Sequence, residues 1–178
     1  MKRTILGLLA ATLIAAAAPT LADKTAGNVV DDNSVNASVK AALVDAKGVP
    51  SSQVNVETYK GTVLLAGFVE TQAQKDAAGQ AAKGVSGVTK VHNAIALAPE
   101  NTMGSKMDDT VTTTKVKSAL MGNDDVKSGQ INVETKGGIV SLGGFVTGEK
   151  MQKRAIEIAK GTKGVKSVVD AMYVKPAG

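Results

Sequence analysis

No cysteine occurs anywhere in the 178 residues. The chain therefore has no disulfide framework and no thiolate to act as nucleophile or metal ligand, and its stability must come from packing. Tryptophan is also absent, and only two tyrosines and two phenylalanines are present, so the cores are expected to be small and built from Val, Ile, Leu and Ala. So few aromatic rings offer little for base stacking, which argues against nucleic acid as a partner. There is one histidine, His92, with no second histidine to share a metal or a proton. No GK[ST] follows any glycine-rich stretch, so there is no phosphate loop. With no nucleophile–base pair, metal cluster or paired carboxylates, the sequence reads as non-enzymatic, with no cofactor, no metal and no small-molecule substrate.

What is present begins with an export signature. Lys2 and Arg3 precede an apolar stretch from Ile5 to Ala18, and small residues lead to an expected cut after Ala22. That order is a secretory signal peptide, and its apolar run is short for a membrane span. The mature protein is expected to start near Asp23 in the periplasm, with a short polar lead-in to residue 33. The formal charge of +5 falls to about +3 once the two leader cations are removed.

An internal repeat sets the architecture. Shifting the chain by roughly 77 residues lays QVNVETYKGTVLLAGFV, from Gln53, on QINVETKGGIVSLGGFV, from Gln130. Two tandem domains follow, over 34–98 and 108–178, with a linker over 99–107 marked by Pro99, Gly104 and Ser105. Each copy predicts helix, strand, strand, helix, strand. Val39, Ala42, Leu43 and Ala46 hold helical spacing, with Ser34 as the expected cap. Val54 and Val56 alternate with Gln53, Asn55 and Glu57, so each sheet is expected to have one apolar and one wet face. Both helices must cover the apolar face. On that reading Glu57 and Glu134 are solubilising residues, and Leu64 and Ala66 are exposed on the outer side of the first hairpin. The fold class is α+β: two small domains, each a three-stranded mixed sheet covered on one face by two helices.

Four glycines recur at matching places. Gly61 and Gly138 suit hairpin turns that need positive φ. Gly67 and Gly144 sit inside strands beside Phe68 and Phe145, and admit two readings. One is a ligand site that needs bare backbone; the other is a bulge or close packing contact.

The element order, the G-x-V-x-L-x-G-x-V pattern at Gly61 and Gly138, and the G-V-x-x-V-x-N ending at Gly87 resemble the BON domain family. The second copy departs from it with Asp170 in place of Asn93. The resemblance covers nearly all of the mature chain. It implies that the glycines are structural and that the phenylalanines plug cores. It also implies association with phospholipid membranes and a role in holding the envelope together under osmotic stress, or alternatively a holdase role for exported proteins.

Charge divides the copies. Residues 30–98 carry six acids and six lysines, whereas residues 108–178 carry eight acids and eleven bases. The excess gathers in and after the last helix, at Lys150, Lys153, Arg154, Lys160 and Lys163. These are the candidate contacts for an anionic phospholipid surface, with an envelope protein as the other partner class.

Overall fold

The computed structural model describes residues 31–99 and 106–176. The expected signal peptide, its cut after Ala22, most of the polar lead-in and residues 100–105 of the linker lie outside the described residues. No helix among the described residues is long and apolar enough to cross a membrane.

The first copy consists of α1 (Asp32–Asp45), β1 (Val54–Tyr59), β2 (Thr62–Val69), α2 (Gln72–Lys83), β3 (Lys90–Asn93) and β4 (Ala96–Leu97). The second consists of α3 (Lys106–Met121), β5 (Asn132–Lys136), β6 (Ile139–Val146), α4 (Glu149–Gly161) and β7 (Ser167–Val174). In each sheet the middle strand is antiparallel to the strand before it and parallel to the strand after α2 or α4. The order is β1-β2-β3 in one sheet and β5-β6-β7 in the other, with β4 continuing the β3 edge beside β2. This is the expected mixed three-stranded sheet, twice.

The helices form where apolar residues recur each turn. Val35, Val39 and Leu43 line the buried side of α1, and Val116 and Leu120 that of α3. Ala78, Gly79 and Ala82 make the second helix of copy one nearly flat, so it packs close to its sheet, whereas α4 buries Met151, Ala155 and Ala159. Thr71 and Gln74 close the N-terminus of α2 with a reciprocal capping box. Ser34 does not cap α1. The helix starts earlier, at Asp32, and Ser34 lies exposed within its first turn. Asp32 fixes that start, because its carboxylate accepts hydrogen bonds from Lys60 N (2.6 Å) and Gly61 N (2.9 Å) in the hairpin turn. Asp109 grips Gly137 N and Gly138 N in the same way, at 2.8 and 2.9 Å. Both central residues of each turn have positive φ, as a type I′ turn requires.

The last strand of copy one is expected unbroken but divides at Ala94–Ile95. Asn93 accounts for the break: its Nδ2 donates to Lys75 O on α2 (2.7 Å) and its Oδ1 accepts from Ile95 N (3.4 Å). Asp170 cannot donate. It accepts instead from Met172 N (3.0 Å) and from the Gln152 amide on α4 (2.8 Å), and β7 runs through.

The expectation of a wet outer sheet face fails. Strand β2 has no polar side chain from Val63 to Val69, so it is apolar on both faces. Val63, Leu65 and Val69 face the helices, in one core. Leu64, Ala66 and Phe68 face the other way and are still only 1%, 4% and 2% exposed. They are covered by the second sheet, whose Ser141, Gly143 and Phe145 meet them. The two copies thus pack sheet against sheet, along a seam that neither copy completes alone. This corrects three expectations. Leu64 and Ala66 are not an exposed apolar surface, Glu57 and Glu134 are not on open solvent faces, and Phe68 and Phe145 fill the seam rather than either helix-covered core.

Burying a large apolar side chain is worth about 1.5–3 kcal/mol, and each half alone would return this face to water. Fragments 31–99 and 106–176, prepared separately, are therefore expected to melt well below the full chain and to self-associate. On mixing they should form a heterodimer by analytical ultracentrifugation. Two stable monomeric fragments that ignore each other would contradict the seam.

Candidate functional site

Two features bear on function: the seam and the outer face of α4. The seam is tightest where Ala66 faces Gly143. A Cβ added to Gly143 would lie 2.6 Å from the Ala66 Cβ, so the central strands approach closely enough to require glycine there. Around this contact the copies exchange equivalent hydrogen bonds. Asn55 Nδ2 donates to Glu134 Oε1 at 2.7 Å, and Asn132 Nδ2 donates to Glu57 Oε1. Glu57 Oε2 also accepts from Phe145 N (3.3 Å), and Lys136 Nζ donates to Gln53 Oε1 (3.0 Å). The reciprocity gives the molecule an approximate two-fold axis through the seam.

Burial raises both carboxyls above their ordinary value of 4.5. For Glu57 this outweighs the hydrogen bonds from Phe145 and Asn132 and the attraction of Lys175 and Lys40. For Glu134 it outweighs the Asn55 hydrogen bond and the attraction of Lys117 and Lys136.

The seam's two ends differ. At one end rings run in sequence across the copies: Tyr59 to Phe145 (centroids 5.7 Å apart), Phe145 to Tyr173 (5.6 Å) and Tyr173 to His92 (5.5 Å). The other end is a cleft of about 280 Å³ lined by Gln53, Phe68, Thr113, Glu134 and Lys136, among others. His92 is thus an exposed member of an aromatic row. Among the described residues no group of three or more His, Cys, Asp or Glu converges in a way that would hold a metal.

Gly67 and Gly144 resolve to packing. Their φ values are +117° and +141°, and an added Cβ would lie 2.2 Å from Gln53 O and 2.0 Å from Gln130 O. Each oxygen ends the short 3-10 turn of its own copy, Ser51–Gln53 or Ser128–Gln130, which leads into the neighbouring strand. The bare backbone therefore accommodates the protein's own chain. Gly61 and Gly138 occupy the hairpin turns, at φ +72° and +83°.

All five nominated cations are exposed and lie in or just after α4, on the side of the second sheet away from the seam. Three have acid neighbours: Lys150 with Asp125 (3.3 Å), Lys153 with Glu149 (3.7 Å) and Arg154 with Glu157 (3.2 Å). Lys160 and Lys163 have no acid within ion-pair distance among the described residues. These pairs are solvent-exposed and contribute little to stability, but they reduce the positive field above the helix. The corresponding surface of α2 carries Ala73, Asp76 and Ala77 where α4 has Lys150, Lys153 and Arg154. Sequence reasoning missed the turn-gripping pair Asp32 and Asp109. The signal for them was an acidic residue recurring at the start of the first helix of each copy.

Comparison with known proteins matches the BON domain model twice, at residues 31–99 and 108–176. Over 151 residues the chain is 42% identical to the osmotically-inducible protein Y of Escherichia coli, covering 84% of this chain and 75% of that one. It is 35% identical over 147 residues to the outer membrane lipoprotein DolP of Haemophilus influenzae, covering 82% and 76%. It is 33% identical over 154 residues to a 21 kDa hemolysin of Actinobacillus pleuropneumoniae, covering 85% and 79%.

Two variants test the seam and the crowded glycines. Gly144→Ala places a methyl on the Gln130 carbonyl at a strained φ and should cost about 3 kcal/mol or more in urea unfolding. A neutral result would mean that the strand is not so constrained. For the carboxyls, the raised folded-state pKa means that protonation favours folding. Their contribution is fully present below the ordinary value of 4.5 and lost as pH rises through the raised folded value. The double variant Glu57→Gln, Glu134→Gln keeps an acceptor at each site but cannot ionise. Its stability relative to the parent should therefore increase from pH 4.5 to about pH 7, as followed by thermal unfolding. A difference that shrinks with rising pH would reverse the assignment.

Proposed function

The chain belongs to the BON domain family, and from that premise we propose that it is a non-enzymatic, periplasmic envelope-maintenance protein that rests against anionic phospholipid surfaces under osmotic stress. Its relatives support the envelope setting by their names, an osmotically-inducible protein and an outer membrane lipoprotein. The observation that carries the surface contact is the difference between α4 and α2. Two helices of one duplicated fold cover equivalent sheets, yet α4 places three cations, Lys150, Lys153 and Arg154, where α2 has Ala73, Asp76 and Ala77.

Within that face the uncompensated cations matter most. Lys160 and Lys163 meet a headgroup directly, whereas Lys150, Lys153 and Arg154 must first exchange an acid partner for it. The family's general character also allows a holdase, but the apolar surface on which that reading relied, Leu64 and Ala66, is covered by the partner sheet. Among the described residues there is no comparably continuous apolar face on the outside. The exposed large hydrophobic residues among those described are Val44 on α1, Leu97 on β4, and Val111 and Met121 ten positions apart on α3.

Vesicle co-sedimentation tests the proposal. Vesicles containing phosphatidylglycerol should retain the protein at low salt and release it at high salt, because an exposed electrostatic contact is screened. Near a membrane surface each cation is worth up to about 1 kcal/mol, so Lys160→Glu with Lys163→Glu should weaken binding by more than tenfold. Lys150→Glu with Lys153→Glu should weaken it less. Equal retention on neutral phosphatidylcholine vesicles, or none on either kind, would overturn the reading.

A further inference from the structure

The approximate two-fold axis makes the seam's two ends comparable position by position, and they have diverged in one direction. At the aromatic end three lysines lie over the rings. Lys60 Nζ is 5.6 Å and Lys175 Nζ 4.8 Å from the centre of Tyr59, and Lys90 Nζ is 5.6 Å from the centre of Tyr173. Their counterparts in the other copy are Gly137, Ala98 and Ser167, none of them charged. The two tyrosines correspond to Lys136 and Ala96. Three lysines have thus gathered over the rings at one end, whereas the cleft end keeps one lysine, Lys136, which is bonded to Gln53.

Cations outnumber acids at this end. None of the three lysines has an acid within ion-pair distance among the described residues. Two acids at this end are held internally: Asp32 accepts the turn amides of Lys60 and Gly61, and Glu57, which also attracts Lys175, accepts from Asn132 and Phe145 inside the seam. Neither tyrosine hydroxyl hydrogen-bonds to another group among the described residues, so both are available as donors. The lysines sit on both sides of Phe145, so no single carboxylate would satisfy them together. An oxyanion with several linked charged centres would. The rings themselves are not free for a base to stack on. Two lysines approach Tyr59, while Lys90 and His92 pack against Tyr173.

We propose that this end of the seam, built by Tyr59, Tyr173, Lys60, Lys90 and Lys175, is a binding site for a soluble multivalent phosphate anion. The ammonium groups supply charge-assisted hydrogen bonds to the phosphate oxygens, and the half-buried rings hold the lysine stems in place. The site is separate from the outer face of α4 and does not depend on the membrane reading.

The protein carries its own reporter. With no tryptophan and only two tyrosines, all intrinsic fluorescence comes from Tyr59 and Tyr173. Sodium tripolyphosphate titrated into the full chain at constant ionic strength should give a saturable change in tyrosine emission. The triple variant Lys60→Gln, Lys90→Gln, Lys175→Gln should shift the midpoint by tenfold or more while its thermal midpoint stays close to that of the parent. The pair Lys160→Glu, Lys163→Glu should leave the tripolyphosphate midpoint unchanged, which separates failure of this site from failure of the membrane contact. An unsaturable change, or an unchanged midpoint in the triple variant, would overturn the proposal. So would orthophosphate acting as well as tripolyphosphate. Emission that responds to phosphatidylglycerol vesicles but not to tripolyphosphate would also overturn it, by assigning the lysines to a lipid surface.

Discussion

The structure depends on the close approach of two central strands, β2 and β6, through their faces opposite the helices. A sheet of three strands with two helices on one side leaves its other side open, and here that side is apolar along the middle strand except for Ser141. One copy of the fold has no means of covering it, but a second copy does. Once the sheets face each other, Ala66 against Gly143 sets how near they come, and Phe68 and Phe145 fill the space on either side. The exchanged Asn–Glu hydrogen bonds then fix the alignment of the sheets, since a shift of one residue would turn Asn55 and Asn132 away from their acceptors. That alignment leaves two carboxyls partly desolvated, an electrostatic penalty that a seam lined only with apolar groups would avoid.

Much of this was legible in the sequence. Val35, Val39 and Leu43 mark a helix by spacing, the paired glycines mark the hairpins, and the repeat marks two domains of one topology. The seam was misread because β1 and β5 alternate cleanly, with Gln, Asn and Glu on one side, and alternation usually means solvent. Those polar residues serve the partner sheet instead. The better signal lay in TVLLAGFV, a continuous apolar run of the kind found where a strand is covered on both faces. The break at Ala94–Ile95 was not legible, because it depends on Asn93 reaching a backbone carbonyl of α2 across the fold. The five cations lie on and just after α4. Their partial neutralisation was half visible: Glu149–Lys153 and Arg154–Glu157 follow from helical spacing, whereas Lys150–Asp125 joins a helix to a distant loop.

Duplication gives the molecule matched surfaces, and the two copies differ most in charge where the match breaks. Many core positions kept their residues: Val39 and Val116, Leu43 and Leu120, and Leu65 and Leu142 are equivalent and buried. The helix exteriors changed more, since α4 has Lys150, Lys153 and Arg154 where α2 has Ala73, Asp76 and Ala77. The seam ends changed too, one becoming a cleft floored by Phe68 and the other an aromatic row topped by lysines. A core position cannot change alone without leaving a void or a clash, whereas an exposed position can. Divergence therefore accumulated at surfaces related by the axis, and each such pair contrasts a changed surface with its counterpart.

The seam also imposes an order in time. Asn55 and Glu134 are 79 positions apart, Glu57 and Phe145 are 88 apart, and Tyr173 in the last strand completes the aromatic row. During synthesis the first copy can gather its helices and sheet from neighbouring segments. Its far face then stays uncovered until the second copy has been made and docks. For that interval the nascent chain carries Leu64, Ala66 and Phe68 in water, and the same face on another nascent chain is its nearest substitute partner. The linker tethers the correct partner at high local concentration, which makes docking within one chain faster than pairing between two. A lengthened linker or a stalled second copy would remove that advantage and leave intertwined dimers as the kinetic product.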